Sequence, residues 1–156
     1  IPLSFLASMI ILNVMGFTLN IVVLFSLILS HGYKGKKLIV FFYPKASTPG
    51  CTAEACNLRD NYKELQAEGY SLLGVSADSQ KRQTNFKNKY EFPFPLLADE
   101  EKVVINAFGV WGLKKFMGKE YDGIHRKTFI IDENGVVTRV IDKVKTKDHA
   151  SQILDS

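Results

Sequence analysis

Tyr43 to Asp60 reads YPKASTPGCTAEACNLRD, and both the fold and the chemistry of the chain turn on this stretch. It follows an apolar run, Leu38 to Tyr43, and leads through a Pro/Gly turn into a helical pattern. It also holds the two cysteines of the 156-residue chain, Cys51 and Cys56. A strand feeding a helix in this way puts Cys51 at or near the first helical turn. Unpaired backbone N–H groups and the positive end of the helix dipole there favour an anion over a neutral thiol. An unperturbed cysteine titrates at about 8.5, so little of it is ionised at neutral pH. A helix terminus supplies part of the required shift, and a fixed cation nearby would supply more.

Cys56 lies five positions after Cys51. This is not the CxxC of a redox helix, and two thiols with three scattered histidines (His31, His125, His149) do not make a zinc site. On an intact helix, residues five apart lie about 140° apart around the axis, with Cα atoms roughly 8–9 Å from each other. A disulfide needs no more than about 7 Å. If the two cysteines ever bond, the start of the helix must unwind, and the pattern reads as a nucleophile and a resolving thiol with local unfolding between them. Taken alone, a cysteine is more often a small buried hydrophobe.

These residues carry a resemblance. Pro44, Thr48 and Cys51 match the PxxxTxxC signature of peroxiredoxins, and a cysteine at plus five marks the peroxiredoxin Q group, also called bacterioferritin comigratory proteins. FGVWG (Phe108 to Gly112) and FMGKEYDGIHR (Phe116 to Arg126) resemble that group in order and spacing, so the likeness runs from about Lys34 to the C-terminus. It implies a thiol peroxidase acting on hydrogen peroxide and organic hydroperoxides in antioxidant defence. Cys51 would be the peroxidatic nucleophile and Cys56 the resolving thiol, with thioredoxin as reductant. Thr48 would hydrogen-bond the bound peroxide and Pro44 would shield the sulfur. Arg126 would be the missing cation, always charged and with a rigid donor fork. Glu54 would orient that arginine. No metal, haem or flavin is implied, and the resemblance favours a monomer or weak dimer. Read singly, Thr48 is a cap or turn residue and Arg126 a surface charge; His125 is a strand-end residue, and Phe108 and Trp111 pack the fold.

The chain length suits one domain with one sizeable core. A net charge of +4, with Lys and Arg interleaved among acids, describes an ordinary solvated surface, and no nucleic-acid motif accompanies it. From Lys37 the pattern alternates. Leu38 to Tyr43 reads as a buried strand, Pro49 to Gly69 as a helix, Tyr70 to Ser76 as a second buried strand, and Ala77 to Tyr90 as a polar helix capped by Asp78 or Ser79. Phe92 to Leu96 reads as a short edge or loop strand because of its two prolines. Asp99 to Phe108 reads as a helix with Val103, Val104 and Ala107 inward, and Gly109 to Gly123 as a loop. Lys127 to Asp132 and Val136 to Asp142 form a hairpin around Asn134-Gly135, and a last helix begins near Asp148. The order predicts an α/β thioredoxin-like fold, a mixed central sheet flanked by helices, over residues 34–156.

All 20 Lys and Arg and all 16 Asp and Glu residues fall after Tyr33. Within the apolar segment 1–33, Ile1 to Leu29 is long enough to pass the length test for a membrane span, and the basic KGKK that follows would sit on the cytoplasmic side. Asn13, Gly16 and Asn20, and the absence of a basic leader, fit a secretory signal poorly. Three readings stand: a membrane or signal segment, an incomplete or misread N-terminal region, or a buried element of unusual composition. The expected location is cytoplasmic, with a membrane anchor facing the cytoplasm as the alternative. Two rival functions also stand: a thioredoxin-class thiol–disulfide exchange protein, and a membrane-tethered or non-functional remnant.

Overall fold

Alternate residues of the first strand face opposite sides of the sheet. Leu38, Val40 and Phe42 belong to one apolar cluster, and Ile39, Phe41 and Tyr43 to another. This strand, β1 (Lys37–Phe42), is buried on both faces, which explains why its sequence is a continuous apolar run. In the computed structural model, which describes Gly32 and residues 35–155, β1 is the middle of a five-stranded sheet. Apart from Gly32, the segment 1–33 on which the membrane and misreading expectations rest lies outside the described residues. Among the described residues no helix is long and apolar enough to cross a membrane.

Parallel to β1 runs β2 (Tyr70–Ser76), followed at the edge by β3 (Leu96–Ala98); β6 (Lys127–Ile131) and β7 (Val137–Ile141) continue antiparallel on the other side. On one face, helices α1 (Pro49–Asp60), α2 (Tyr62–Ala67), α3 (Gln80–Tyr90) and α5 (His149–Leu154) contribute Ala55, Leu58, Leu65, Phe86 and Ile153 to the cluster of Ile39 and Phe41. On the other face, Ile105 of α4 (Val103–Ala107) packs with Phe108, Val110 and Phe129. A two-stranded sheet, β4 (Trp111–Phe116) with β5 (Lys119–Ile124), adjoins this second layer through Ile124 and Trp111. The expected mixed sheet between helices is present.

Several elements differ from the sequence expectation. The helix expected over 49–69 is interrupted at Asn61, which leaves helical geometry (φ −105°, ψ 14°), and ends before Gly69 at φ +85°. Ser79, not Asp78, caps α3, accepting from Arg82 N. The edge strand lies at Leu96–Ala98 instead of Phe92–Leu96, because Pro93 and Pro95 hold the preceding chain in a loop whose Phe92 and Phe94 rings stack in the core.

In α4 Ile105 is fully buried and Val104 packs against the same cluster, as expected, whereas Val103 is 53% exposed. The Asp99 carboxylate accepts from the amides of Val103 and Ile105, and Lys102 adopts a left-handed conformation (φ 59°), so the helix starts late and its inward face is rotated. The expected loop at Gly109–Gly123 is instead the β4–β5 hairpin. Its strands are largely exposed and so lack apolar alternation, and its turn uses Met117 and Gly118, both with positive φ.

Gly74 in β2 sits where a side chain cannot. A Cβ there would lie 2.6 Å from Leu96 Cδ2 and 2.8 Å from Phe41 Cζ. Gly74→Ala is therefore expected to overpack the sheet and lower unfolding stability by about 1–3 kcal/mol, measured by urea denaturation. An unchanged midpoint would contradict this packing.

Candidate active site

The loop between β1 and α1 is pinned before it reaches Cys51. Asp78, just past the end of β2, accepts from Ala46 N (2.7 Å) and from Ser76 Oγ (2.8 Å) with the same carboxylate oxygen. Between this anchor and the helix, Ser47 takes a left-handed conformation (φ 64°), a modest cost for a non-glycine residue that turns the chain into α1. Thr48 is then the N-cap by backbone geometry (φ −84°, ψ 155°), and Pro49 opens the helix with the φ that its ring favours. Cys51 falls in the first turn, as its sequence context predicts, and is 2% exposed.

Arg126 comes from the short connection between β5 and β6, 75 positions away in sequence. Its Nη2 donates to Cys51 Sγ at 3.3 Å while Nη1 donates to Glu54 Oε2. One planar fork therefore joins the sulfur and a fully buried carboxyl, both carried by α1. Gly50 leaves the space that makes this possible, since a Cβ there would stand 3.3 Å from Arg126 Nη2. Arg126 is thus within hydrogen-bond reach of the sulfur, and Glu54 holds its guanidinium.

The other expected site residues are placed as follows. Thr48 is partly exposed, and its hydroxyl donates to Lys45 O at 2.7 Å, which leaves its oxygen lone pairs available to an incoming donor. Pro44 is half-buried immediately after β1. Cys56 lies on the same continuous helix as Cys51, and both are free thiols. Five positions along an intact helix keep them out of bonding range. Burial pushes the Cys56 thiol up, Arg59 draws it back down, and Asp60 adds to the rise.

Glu54 is the electrostatic anomaly of the site. Burial pushes its carboxyl up to about 7, against the charge and hydrogen bond of Arg126. Oε1 has no hydrogen-bond partner among the described residues. His149, fully buried on α5, brings Nε2 to 3.8 Å from that oxygen. Lys114 on β4 is a further basic neighbour: its Nζ donates to Ile124 O at 2.9 Å. Burial and Arg126 push its ammonium down while Cys51 opposes them. Sequence reading did not single out His149, Lys114, Gly50 or Asp78 for the site. Only Asp78 left a trace, as a possible helix cap.

The AhpC/TSA family profile matches residues 17–140. A putative peroxiredoxin bcp of Haemophilus influenzae is 51% identical over 123 residues, 79% of each chain. Peroxiredoxin Bcp of Escherichia coli K12 is 48% identical over 123 residues, again 79% of each chain. The solved bacterioferritin comigratory protein of Xanthomonas campestris, described for its alkyl peroxide reduction activity, superposes with a TM-score of 0.75 at 38% identity, covering 81% of this chain and 79% of its own.

The Glu54 shift predicts a signature in folding. Below about pH 4.5 the carboxyl is protonated whether the chain is folded or not. As pH rises towards 7 the unfolded chain ionises first, so the folded state loses up to about 3 kcal/mol, and above 7 the loss levels off. Glu54→Gln removes this dependence. The stability difference, variant minus wild type, should grow between pH 4.5 and 7 and then stay constant, as read from urea denaturation at each pH; a difference independent of pH would contradict it.

Proposed function

The chain belongs to the AhpC/TSA family as a peroxiredoxin, an oxidoreductase that reduces peroxides with electrons from thiols, and on that premise we propose how its residues divide the reaction. Cys51 is the peroxidatic nucleophile. The observation that carries this is the Arg126 guanidinium 3.3 Å from its sulfur, because a permanently charged donor interacts more favourably with a thiolate than with a thiol. The thiolate attacks the terminal oxygen of a hydroperoxide, an S–O bond forms, the O–O bond breaks, and the departing alkoxide or hydroxide takes a proton. Cys51 is left as a sulfenic acid.

Thr48 suits a specific part in this step. With its own proton committed to Lys45 O, its oxygen can accept from the peroxide O–H, while Arg126 donates to the oxygen under attack. Pro44 covers the entrance. The burial fits the substrate class: a cysteine that is 2% exposed is reached by hydrogen peroxide or a slim alkyl hydroperoxide far more readily than by a protein disulfide. This argues against the thiol–disulfide exchange reading.

In the second step the Cys56 sulfur attacks the sulfenic sulfur, releasing water and forming a disulfide. That bond requires the first turns of α1 to unwind. A dithiol then reduces it with two electrons, and thioredoxin is the reductant we assign, in a cytoplasmic setting where such dithiols are kept reduced.

Cys51→Ser should abolish consumption of hydrogen peroxide. Cys56→Ser should still form a dimedone-trappable sulfenic acid at Cys51 in one turnover, yet fail to support thioredoxin-coupled NADPH oxidation. Thioredoxin-dependent turnover by the Cys51→Ser protein would overturn the assignment.

A further inference from the structure

Asn57 ties the helix of the two cysteines to an element from the far end of the chain. Its Nδ2 donates to Lys147 O at 3.0 Å and its Oδ1 accepts from Ala150 N at 2.8 Å, contacts that span 90 and 93 positions. Ala150 N lies in the first turn of α5, where amides have no partner within the helix. Asp148 stands at the cap position but makes no side-chain cap bond among the described residues. Asn57 supplies from α1 the acceptor that a cap residue ordinarily provides. The anchor is stiff. Gln152 accepts from Lys145 N and donates to Lys143 O, bracing the approach to α5, while Ala150 and Ile153 are buried in the same apolar cluster as Ala55 and Leu58.

Asn57 directly follows Cys56, at the limit of the segment that a Cys51–Cys56 bond would open. In an α-helix the amide of each residue bonds the carbonyl four positions back, so the N–H of Asn57 pairs with Ala53 O inside that segment. Unwinding between the cysteines removes this bond and shifts Asn57 from the place where it reaches α5. Beyond it the helix keeps its own holds: Leu58 is fully buried, and Arg59 Nη1 donates to Tyr90 O at 2.8 Å. We propose that Asn57 is a positioning residue for the resolving step: its bonds to α5 hold α1 wound after Cys51 is oxidised, and so set the rate at which Cys56 reaches the sulfenic sulfur. The proposal rests on the assignment of Cys56 as the resolving thiol and adds to it the residue that times the step.

Two grips on α1 respond differently to the chemistry. The hold of Arg126 on the sulfur weakens as soon as the thiolate becomes a neutral sulfenic acid. The Asn57 bonds join an uncharged amide to backbone groups, and the oxidation of the sulfur does not alter them. The delay they impose has a chemical consequence. While α1 stays wound, the sulfenic acid remains beside Arg126, where a second hydroperoxide can transfer an oxygen to it, giving a sulfinic acid and releasing an alcohol or water. Unwinding ends that exposure. The strength of the Asn57 contacts therefore decides how the sulfenic acid divides between disulfide and sulfinic acid.

The test mixes the reduced full chain with hydrogen peroxide, quenches it with acid at intervals and reads the products by intact mass spectrometry. Sulfenic acid formation scales with peroxide concentration, whereas the disulfide phase does not. Asn57→Ala should leave the first phase unchanged and quicken the second about tenfold, the loss of both hydrogen bonds offset in part by the higher helix propensity of alanine. Because alanine is the better helix former, this acceleration runs against propensity. The peroxide concentration that converts half of the protein to sulfinic acid should rise by about the same factor. Gly74→Ala, which strains the sheet against Leu96 and Phe41, serves as the control for a general loss of stability and should leave the disulfide phase at the wild-type rate. An unchanged disulfide phase in Asn57→Ala, or an equal acceleration in Gly74→Ala, would overturn the proposal. A second measurement needs no variant. In wild type, hydrogen exchange at the Ala150 amide should quicken about tenfold between the dithiol and disulfide forms, because its acceptor has moved away. Equal protection in the two forms would overturn the coupling of α1 to α5. Absence of any Cys51–Cys56 disulfide in oxidised wild type would strike the resolving-thiol assignment instead.

Discussion

The guanidinium of Arg126 stands between the sulfur of Cys51 and the carboxyl of Glu54, and the rest of the site depends on that bridge. Both partners sit on α1, so a single planar group ties the first turn of the helix to the β5–β6 connection. Its position is not cheap to maintain. The carboxyl is buried completely, one oxygen lacks a hydrogen-bond partner among the described residues, and burial raises its proton affinity by enough to bring titration near neutrality. A buried ion pair of this kind is weak evidence for stability and better evidence for geometry held in place for another purpose.

The sheet explains how a contact spanning 75 positions forms. β1 delivers the loop of Pro44 to Thr48 from the middle of the sheet, and β6, its antiparallel neighbour, begins beside the end of β1 through the Phe42–Lys127 pair. Arg126, one residue before β6, therefore arrives at the same edge as the start of α1. Asp78, at the end of the other neighbouring strand, fastens the loop from the opposite side. Cys51 is placed on a rigid frame, and Asn57 marks how the helix that carries it is held: it donates to Lys147 O and accepts from Ala150 N, clamping α1 to the start of α5.

Much of this was legible in the sequence because it is local. The apolar run of β1, the Pro49 start, the Gly69 stop and the Asn134-Gly135 turn each express their physics within a few residues. Cys51 in the first helical turn follows from the same local reading, whereas Arg126 could be named only through family resemblance, since no local pattern links it to the sulfur. The β4–β5 hairpin was hidden because exposed strands such as Leu113 to Phe116 need no apolar alternation, and because Met117 is not a usual residue at positive φ. His149 was unreadable for a different reason. Its place behind Arg126 depends on α5 docking so that one ring faces Glu54 and Thr128 together, and a single histidine in a short helix gives no sign of that.

The most direct test removes the fork and keeps the fold. The second-order rate constant for hydrogen peroxide with reduced Cys51 should be measured in Arg126→Gln, with thermal unfolding as a check on structure. Loss of the charged donor from sulfur and peroxide should slow the reaction by about a hundredfold or more. A folded Arg126→Gln protein that reduces peroxide at the wild-type rate would contradict the account at its centre.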